Sequence, residues 1–502
     1  MKRLFKGIRL SEGPDPVYDA VVAGAGIGGL VCANLLAASG LDVLLVEQHY
    51  MVGGYCSTFQ RQGYIFDAGS HFYPLLGNPQ TITGKLMRRM GVDTSWIAMD
   101  PVDHFHFPDG SRFSVPADFA GYLQRLKREF PGEAVALDDF FAAVRQAYML
   151  GLLYYFRGRR TPQLEPLIPL TVRQVLDRHF LDPKLKLLLV ADCPHWGAPP
   201  GRTSFVFDAM LRLSYFLGNY YPKGGSQAFA DELARRFEAR GGHILLNSPV
   251  RRILVQDGQA TGVAIETGPL RRRHLQQVRA GVVVSNADIL QTVEKWLDPA
   301  HLEPGYLESI QRLRPTYPCF LMHIGLQDIE TEVLERAQGY YWDKWDAEEV
   351  GRGAFKFKIF SPTLYEPGMA PPGGHVVVVQ KVLDMDFDGV GDWQTHKEGV
   401  ESWIAEHLEG VVPGISSKIV VKLSASGLTA HRFTLNYQGA MLGWEMAPDQ
   451  LGDERPGTDG PLENLYFTGH WTRPGGGITP VIMSAVQVAE RITGGGLVSG
   501  PG

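Results

Sequence analysis

A glycine-rich turn near the start of the chain constrains the fold more than any other feature of the sequence. The stretch VVAGAGIGGL, residues 21–30, places Gly24, Gly26 and Gly29 in G-x-G-x-x-G spacing, with Gly28 between the last two. A short apolar run precedes the turn, LVCANLLAASG follows it with helical periodicity, and LDVLLVE is typical of a second buried strand. This order predicts an α/β fold that opens as a doubly wound, Rossmann-like parallel sheet.

The same turn predicts a nucleotide-binding site. Gly24 permits the tight turn, Gly26 lets the backbone approach a pyrophosphate, and Gly29 lets the helix pack closely on the strand. The start of the helix adds free N–H groups and a partial positive charge. Glu47 ends the second strand, about 20 residues after the last glycine, where a carboxylate can accept hydrogen bonds from ribose hydroxyls.

Composition narrows the class of protein. The chain has 502 residues, of which 44% are hydrophobic and 20% charged, so we expect a large core and more than one domain. A net charge of -6 with mixed signs offers no basic field for nucleic acid. The four cysteines lie far apart, which predicts no disulfide framework, no metal site and a reducing compartment. No apolar stretch reaches the roughly 20 residues of a spanning helix, so we expect a cytoplasmic protein that is either soluble or peripheral on a membrane.

Further strand-like segments predict that the nucleotide-binding domain is discontinuous. They recur at residues 241–266, 280–288 and 464–470, far from the glycine turn. We therefore assign residues 17–80, 220–300 and 455–495 to this domain. Residues 81–219 and 301–454 are richer in amphipathic helices and aromatic residues, and we assign them to a mixed α+β substrate-binding domain.

Three further motifs indicate which nucleotide is bound. Gly53 and Gly54 with GYIFDAGSHFY (63–73), the middle segment YYPKGGSQAFADELARRFEARGGHILLNSPVRRI (220–253) and the closing NLYFTGHWTRPGGGITPVIMSAVQVAERI (464–492) resemble the amine oxidase and phytoene desaturase superfamily of FAD enzymes. The resemblance touches both ends and the middle of the chain and implies FAD as cofactor. It places the glycine pair beside the pyrophosphate and the backbone around Val250 at the adenine. Closing-motif residues then approach the flavin, namely Gly469, His470, Gly477 and Ile478.

Within that superfamily, the chain is most similar to the branch of carotenoid isomerase, retinol saturase and bacterial carotenoid desaturases. EQHYMVGGYCSTF (47–59) and DPVDHFHFPDGSRFSVPAD (100–118) carry this similarity, together with TAHRFT and GAMLGWE. Two positions depart from the pattern. Tyr55 stands where Arg or Ser is usual, and His470 stands where the superfamily has an aspartate that bonds the ribityl chain.

The sequence shows no Ser/His/Asp set, metal cluster or paired-carboxylate motif. That fits flavin chemistry, in which the cofactor supplies the reactive atom and the protein supplies position, dryness and electrostatics. His71 is the candidate catalytic residue, because the segment after the glycine pair reaches the flavin or the substrate cavity in the superfamily. A structural role beside FAD is the alternative for His71. Trp471 and Arg473 either line the cavity or serve ordinary packing and surface roles.

The segment AYMLGLLYYFRGRR, residues 147–160, predicts either a monotopic membrane contact or a buried helix with a solvated basic end. It places large apolar and aromatic residues directly before Arg157, Arg159 and Arg160. Aromatic and apolar groups lie at the boundary of headgroups and acyl chains, while arginines pair with phosphates.

The resemblance implies an FAD-dependent oxidoreductase that acts on carbon–carbon double bonds of an apolar polyene lipid, such as a carotenoid or a retinoid. Desaturation, saturation and flavin-assisted cis-trans isomerisation all remain open. An amine or amino-acid oxidase on the same scaffold is one alternative, and a non-catalytic FAD-binding escort protein is another. The exact polyene, the electron acceptor or donor and the oligomeric state are left open by the sequence.

Overall fold

The described part of the chain folds into two large β-sheets flanked by helices. The computed structural model describes residues 16–157, 159–268 and 272–495, with only the backbone described at residues 156 and 157. In chain order, the strands are β1 (Val17–Ala23), β2 (Val43–Val46), β3 (Thr58–Arg61), β4 (Tyr64–Asp67), β5 (Trp96–Ala98), β6 (Asp103–His106), β7 (Arg112–Val115), β8 (Tyr220–Pro222), β9 (His243–Leu245), β10 (Val250–Gln256), β11 (Gln259–Thr267), β12 (His274–Ser285), β13 (Cys319–Gln327), β14 (Gly339–Trp342), β15 (Phe355–Phe360), β16 (Gly374–Val382), β17 (Ile419–Ala425) and β18 (Leu465–Phe467). The α-helices are α1 (Ile27–Ala38), α2 (Ile82–Arg89), α3 (Phe119–Glu129), α4 (Ala134–Arg157), α5 (Val172–His179), α6 (Pro183–Leu189), α7 (Phe205–Tyr215), α8 (Ser226–Ala239), α9 (Tyr306–Gln311), α10 (Thr331–Ala337), α11 (Trp393–Val411), α12 (Gly427–Thr434) and α13 (Ile478–Thr493).

The first sheet joins strands from three distant parts of the chain. Its order is β10-β11-β12-β1-β2-β9, with β18 paired to β12. β18, β12, β1, β2 and β9 run parallel, whereas β10, β11 and β12 pair antiparallel. All four residues of β2 are buried, as expected for a parallel strand covered on both faces. The predicted Rossmann-like α/β fold is confirmed, while the residue bounds of the two domains stay predictions.

Helix α1 lies inside the protein rather than on its surface. Its residues from Ile27 to Ala37 are buried, because α8 and α13 pack beside it in the same apolar cluster as β1 and β2. Asn34 donates from Nδ2 to the carbonyls of Leu30 and Leu233, at 2.9 and 2.8 Å. This buried amide is therefore satisfied and links α1 to α8. The first turn of α1, which carries the glycines, is held rigidly as a result.

The second sheet is built mainly from the segment after residue 318. Its order is β17-β13-β16-β15-β14-β6-β7, and only β14 and β6 pair parallel in it. Helix α11 packs on one face of this sheet, and Tyr64 and Phe66 of β4 pack on the other. Because β4 directly precedes the segment of His71, the second sheet is brought against the predicted nucleotide site.

Helix α4 contains most of the segment predicted to contact a membrane. Gly151 is buried, whereas Met149 is 59% exposed and Leu153 is 38% exposed. The helix is therefore apolar on a buried face and also on part of its exposed face. Residue 158 lies outside the described residues, and Arg160 pairs with Glu165 at 2.6 Å. Within the described ranges, no helix combines the length and the apolar character that crossing a bilayer requires.

Candidate functional site

One cavity joins the glycine turn to the second sheet and to helices α4 and α7. Its volume is about 1130 Å³, larger than the roughly 300–1,000 Å³ typical of a site for one small molecule. The fold thereby brings together residues from both ends and the middle of the chain. The sequence-predicted site residues that line it are Gly24, Gly26, Gly28, Glu47, Gly53, Gly54, His71, Val250, Gly469, His470, Gly477 and Ile478.

The glycine turn is held by contacts that exclude side chains. Gly24 has a φ of +101°, and its N–H donates to the carbonyl of Val46 at 2.7 Å. A Cβ on Gly28 would overlap the amide oxygen of Asn286. Gly29 does not line the cavity, and a Cβ there would overlap the carbonyl oxygen of Gly24. The start of α1 can therefore pack this closely against Gly24 and Asn286 only because positions 28 and 29 are glycines.

The glycine pair lies against the glycine turn. Gly53 donates its N–H to the carbonyl of Ala25 at 2.8 Å and forms a parallel bridge with Gly26. Gly53 and Gly54 have φ values of +116° and +58°, in the left-handed region that favours glycine. Glycine backbone from two separate segments therefore forms one wall of the cavity.

Helices α1 and α13 both begin at this wall without a side-chain cap. Their N-cap residues are Gly26 and Gly477, and no side chain accepts a hydrogen bond at either cap. Both glycines line the cavity. Uncapped helix starts present free N–H donors and a partial positive charge. This arrangement fits an anionic group such as the pyrophosphate of a dinucleotide.

Glu47 is fixed at the end of β2 by backbone donors. The N–H groups of Ala25 and His49 donate to its two carboxylate oxygens at 2.7 and 2.8 Å. Burial raises the pKa of Glu47, and these backbone hydrogen bonds oppose that shift. Because each carboxylate oxygen can accept more than one hydrogen bond, Glu47 is oriented by the turn and can still accept from a ribose hydroxyl.

His71 faces the cavity with unsatisfied nitrogens. Its side chain is buried and stacks on Phe360 with ring centroids 4.9 Å apart, yet neither ring nitrogen has a partner among the described residues. Burial lowers the pKa of His71 to about 3, and the nearby Lys358 charge adds to this shift. The ring is therefore neutral near pH 7. It can donate one hydrogen bond to a bound molecule and accept one from it, and its predicted catalytic role stays a prediction.

In the loop before α13, His470 faces the cavity, whereas Trp471 and Arg473 make their contacts outside it. His470 lines the cavity, and its Nε2 lies 3.2 Å from the amide oxygen of Asn436, which also accepts from the indole of Trp471 at 3.0 Å. Burial lowers the pKa of His470 to about 4. Trp471 does not line the cavity and packs edge-on against Trp444, while Arg473 pairs with Asp453 at 2.7 Å. Of the two roles left open for Trp471 and Arg473, the structure supports packing and surface pairing.

Several lining residues were missed in the sequence. Asn286 follows β12 directly, and its side chain donates to the carbonyl of Gly24 at 3.3 Å. Its position at the carboxyl end of a strand parallel to β1 is a signal that could have identified it. His195 and His323 also line the cavity, but they come from a short 3₁₀ helix (Cys193–Trp196) and from the second sheet. No local sequence pattern marks either histidine.

The wall formed by α4, α7 and the residues just after α7 is apolar. Within the described ranges, neither helix contributes a carboxylate to the lining, and Asp208 of α7 instead pairs with Arg212. Leu153 and Leu217 are partly exposed, at 38% and 42%, and both line the cavity, so they mark an opening to the surface. The other lining residues of this wall are Tyr148, Leu152, Tyr155, Phe207, Met210, Leu211, Ser214 and Tyr215.

Comparison with known proteins agrees with this arrangement of glycines and helix starts. Residues 27–493 match the family described as flavin-containing amine oxidoreductases, which spans nearly the whole chain. The chain belongs to this family. The prediction of a flavin-dependent oxidoreductase is therefore confirmed.

Individual relatives of this flavin oxidoreductase share about a quarter of its residues. Prolycopene isomerase from Daucus carota is 27% identical, with 95% of this chain and 80% of the relative covered. A zeta-carotene-forming phytoene desaturase from Myxococcus xanthus is 27% identical, with 94% and 93% covered. All-trans-retinol 13,14-reductase from Danio rerio is 25% identical, with 93% and 84% covered. The resemblance to the carotenoid and retinoid branch is confirmed.

A solved structure shares the fold of this flavin oxidoreductase at lower identity. An oxidoreductase from Methanosarcina mazei superimposes with a TM-score of 0.66 at 17% identity, covering 94% of this chain and 99% of that chain. At that level of identity the likeness concerns the fold alone.

Proposed function

We propose that this chain is an FAD-dependent oxidoreductase that acts on carbon–carbon double bonds of an apolar polyene lipid. The observation that carries this function is the cavity itself. It joins a dinucleotide cradle of glycines and two uncapped helix starts to an apolar wall that opens at the surface. Such a cavity would serve desaturation, saturation or isomerisation of the lipid.

FAD fits the cradle better than a mononucleotide does. The cradle combines a turn for a pyrophosphate, a carboxylate for a ribose in Glu47 and a further lining residue, Val250, at the start of β10. A mononucleotide would leave the part of the cavity beside Glu47 unfilled. His71, with two unpartnered ring nitrogens, lies elsewhere in the same lining and needs a polar group of a bound molecule to offset its burial.

The apolar wall supports a polyene over an amine. An amine is a cation near pH 7, and a desolvated cation requires a carboxylate or a comparable partner. The described residues of α4 and α7 that line the cavity offer aromatic, aliphatic and hydroxyl groups instead. A polyene has no charge to satisfy and is stabilised by burial of its apolar surface.

The chain's own residues would bind and orient the substrate rather than react with it. A bound flavin supplies hydride transfer. The wall of α4 and α7 excludes water, and the cradle fixes the dinucleotide at one place in the cavity. The names of the relatives add support, since the three act, by their names, on prolycopene, phytoene and all-trans-retinol.

Anaerobic spectroscopy tests the function directly. Purified holoprotein, oxidised in one sample and photoreduced in another, is mixed with phytoene, lycopene isomers, retinol or a primary amine. We expect a polyene to change the flavin spectrum or its own spectrum, and the amine to change neither. Bleaching of oxidised flavin indicates desaturation, reoxidation of reduced flavin indicates saturation, and altered geometry without net electron transfer indicates isomerisation. Prompt bleaching by the amine alone would replace this function by an amine oxidase.

Removal of the Glu47 carboxylate is expected to weaken FAD binding. Glu47→Ala deletes the ribose acceptor and leaves the Ala25 and His49 N–H groups without their partner. A hydrogen bond to a charged group contributes about 1.5–3 kcal/mol, so the Kd for FAD should rise roughly 10- to 100-fold. Fluorescence titration of apoprotein measures it, with Glu47→Gln as the control that keeps one oxygen. Equal affinity of wild type for FMN and FAD would contradict the dinucleotide assignment.

We further propose that the opening at Leu153 and Leu217 rests on a membrane. Met149 is exposed on the same helix as Leu153, and the exposed side chain of Arg159 follows that helix. An apolar rim with a cation beside it suits an anionic bilayer surface. A polyene could then enter the cavity without crossing water.

Charges placed on this rim are expected to release the protein from vesicles. Wild type should float with vesicles of phosphatidylcholine and phosphatidylglycerol, whereas a Met149→Glu, Leu217→Glu variant should stay in the soluble fraction with flavin bound. Each side chain contributes about 1.5–3 kcal/mol when buried in lipid, so partitioning should fall by 10²-fold or more. Leu181→Glu is the matched control, because Leu181 is 90% exposed and does not line the cavity. Equal flotation of all three proteins would contradict the membrane contact.

A further inference from the structure

A chain of hydrogen bonds runs from the cavity into the second sheet. His195 lines the cavity, and its Nδ1 lies 2.6 Å from the hydroxyl oxygen of Tyr340. Lys358 donates from Nζ to that same hydroxyl oxygen at 3.1 Å and to a carboxylate oxygen of Asp103 at 2.8 Å. Four segments of the chain, at residues 103, 195, 340 and 358, supply these groups. None of them is explained by the cofactor cradle.

The direction of these hydrogen bonds follows from counting donors. The Lys358 ammonium can only donate, so the oxygen of Tyr340 accepts from it. The single hydroxyl hydrogen of Tyr340 then has Nδ1 of His195 as its described partner, and Nδ1 must accept. A neutral imidazole with an accepting Nδ1 carries its hydrogen on Nε2. Nε2 has no partner among the described residues, while the ring it belongs to borders the cavity.

Burial sets the charges along this chain. Lys358 is 1% exposed, and burial lowers its pKa to about 8, while Asp103 opposes that shift. Burial, with Lys358 and His71 nearby, holds the pKa of His195 well below its usual range, so this ring is neutral near pH 7. Asp192 also raises the pKa of Lys358. Burial raises the pKa of Tyr340, and Tyr215 and Asp192 both raise it further. A neutral imidazole thus lies between the cavity and a cation that can lose its proton.

We infer that His195, Tyr340 and Lys358 form a proton relay that delivers a proton to the substrate in the cavity. This inference rests on the proposed function and selects its saturating direction. A bound, two-electron-reduced flavin would supply hydride, with its electron pair, to one carbon of a polyene double bond. The other carbon receives the Nε2 proton of His195 as the π bond breaks and two C–H bonds form. As that proton leaves, Nδ1 of His195 takes the hydroxyl proton of Tyr340 and Tyr340 takes one from Lys358, so that neither an imidazolate nor a tyrosinate forms. Lys358, left neutral, then regains its proton from solvent, and Asp103 stabilises the ammonium.

Tyr340→Phe tests the relay, because it removes one oxygen and interrupts the chain in the middle. Tyr341→Phe is the matched control: it makes the same change at the next residue of β14, whose hydroxyl donates to the carbonyl of Ala337 at 2.8 Å. The first readout needs no turnover. In holoprotein labelled with ¹⁵N in the histidine rings, the signal absent from His195→Gln is that of His195. We expect an unprotonated Nδ1 and a protonated Nε2 in wild type and in Tyr341→Phe, and a shifted Nδ1 signal in Tyr340→Phe.

The second readout is the single-turnover reoxidation of photoreduced enzyme by a polyene, in H₂O and D₂O. The protonated Lys358 is present below its pKa of about 8, so the wild-type rate should fall as pH rises through that value. Loss of a positioned acid costs about 10²–10⁴-fold, so Tyr340→Phe should be at least 10²-fold slower, with a flat pH profile and a diminished D₂O effect. Tyr341→Phe should behave as wild type.

Each outcome has a separate meaning. An unchanged rate or an unchanged Nδ1 signal in Tyr340→Phe would overturn the relay. Reaction of polyenes only with oxidised enzyme would overturn the donor direction and leave the proposed function intact. If no polyene reacts in either redox state, the proposed function fails, and a wild-type His195 that carries its hydrogen on Nδ1 would reject the relay independently.

Discussion

Replacement of Gly29 by alanine is expected to abolish cofactor binding and to unfold much of the protein. The added Cβ would overlap the carbonyl oxygen of Gly24, which is backbone and cannot rotate away. Helix α1 cannot move outward to relieve the overlap, because it is buried on all sides by α8, α13 and the sheet. Overpacking typically costs about 1–3 kcal/mol and occasionally more, and an overlap with rigid backbone belongs to the costly cases. The urea midpoint and the yield of yellow holoprotein measure the loss.

Gly399→Ala is the matched control for that change. Gly399 also lies within a helix, α11, but a Cβ there has no neighbour within 4 Å. Alanine exceeds glycine in helix propensity by up to about 1 kcal/mol, so this variant should be slightly more stable than wild type. The difference between the two variants isolates the steric overlap from the propensity. A fully folded, flavin-bound Gly29→Ala protein would contradict the packing described for the turn.

Arg212→Met is expected to destabilise the protein by about 3–5 kcal/mol, because it leaves a buried carboxylate without its cation. Arg212 donates from Nε and Nη2 to the two oxygens of Asp208 at 3.1 and 2.8 Å. The two side chains are only 8% and 2% exposed. The urea midpoint of the variant, compared with wild type at pH 7, measures the loss. A change below about 1 kcal/mol, the value of an exposed pair, would contradict the assignment of a buried ion pair.

The double variant Asp208→Leu, Arg212→Met separates the pair from its packing. Replacing both partners of a buried pair by apolar residues is often neutral or stabilising, so this variant should regain much of the loss. The double variant should not regain all of the lost stability, because Arg212 also attracts the nearby carboxylate of Asp192. Burial already raises the pKa of Asp208 in wild type. A raised folded pKa favours the folded state at low pH, so the deficit of Arg212→Met should shrink as pH falls towards about 4.

Local pattern was sufficient to predict where the glycine turn, the helix after it and Glu47 lie. The glycine spacing, the helical run after it and the apolar strand before Glu47 lie within about 30 residues, the usual length of such a unit. Their physical causes are local too: a left-handed φ at Gly24, a close approach at Gly29 and a strand end at Glu47. Asn286 escaped notice because its role depends on β12 lying next to β1. That pairing is tertiary, although the position of Asn286 after a strand was visible.

The polar groups beyond the cradle could not be predicted in the same way. His195 and Lys358 belong to different elements, and Tyr340 meets them only because β14 and β15 pair beside the short 3₁₀ helix that carries His195. Each residue has an unremarkable local context, and only the folded sheet makes them neighbours. Trp471 illustrates the opposite case. Its place in the closing motif left a cavity role open, but its contact with Trp444 is a packing contact.

The position of α13 against α1 has a consequence for synthesis of the chain on the ribosome. Helix α1 emerges first and is apolar on every face, yet its neighbour α13 and the strand β18 lie at the far end of the chain. At about 5–20 residues per second, roughly 20–90 s separate the two ends. Throughout that time the nascent chain leaves the face of α1 that α13 covers without its partner, even after β2 and α8 have been made. Such a chain should depend on chaperones while it is being made, and truncations that remove α13 should aggregate rather than accumulate as a soluble nucleotide-binding fragment.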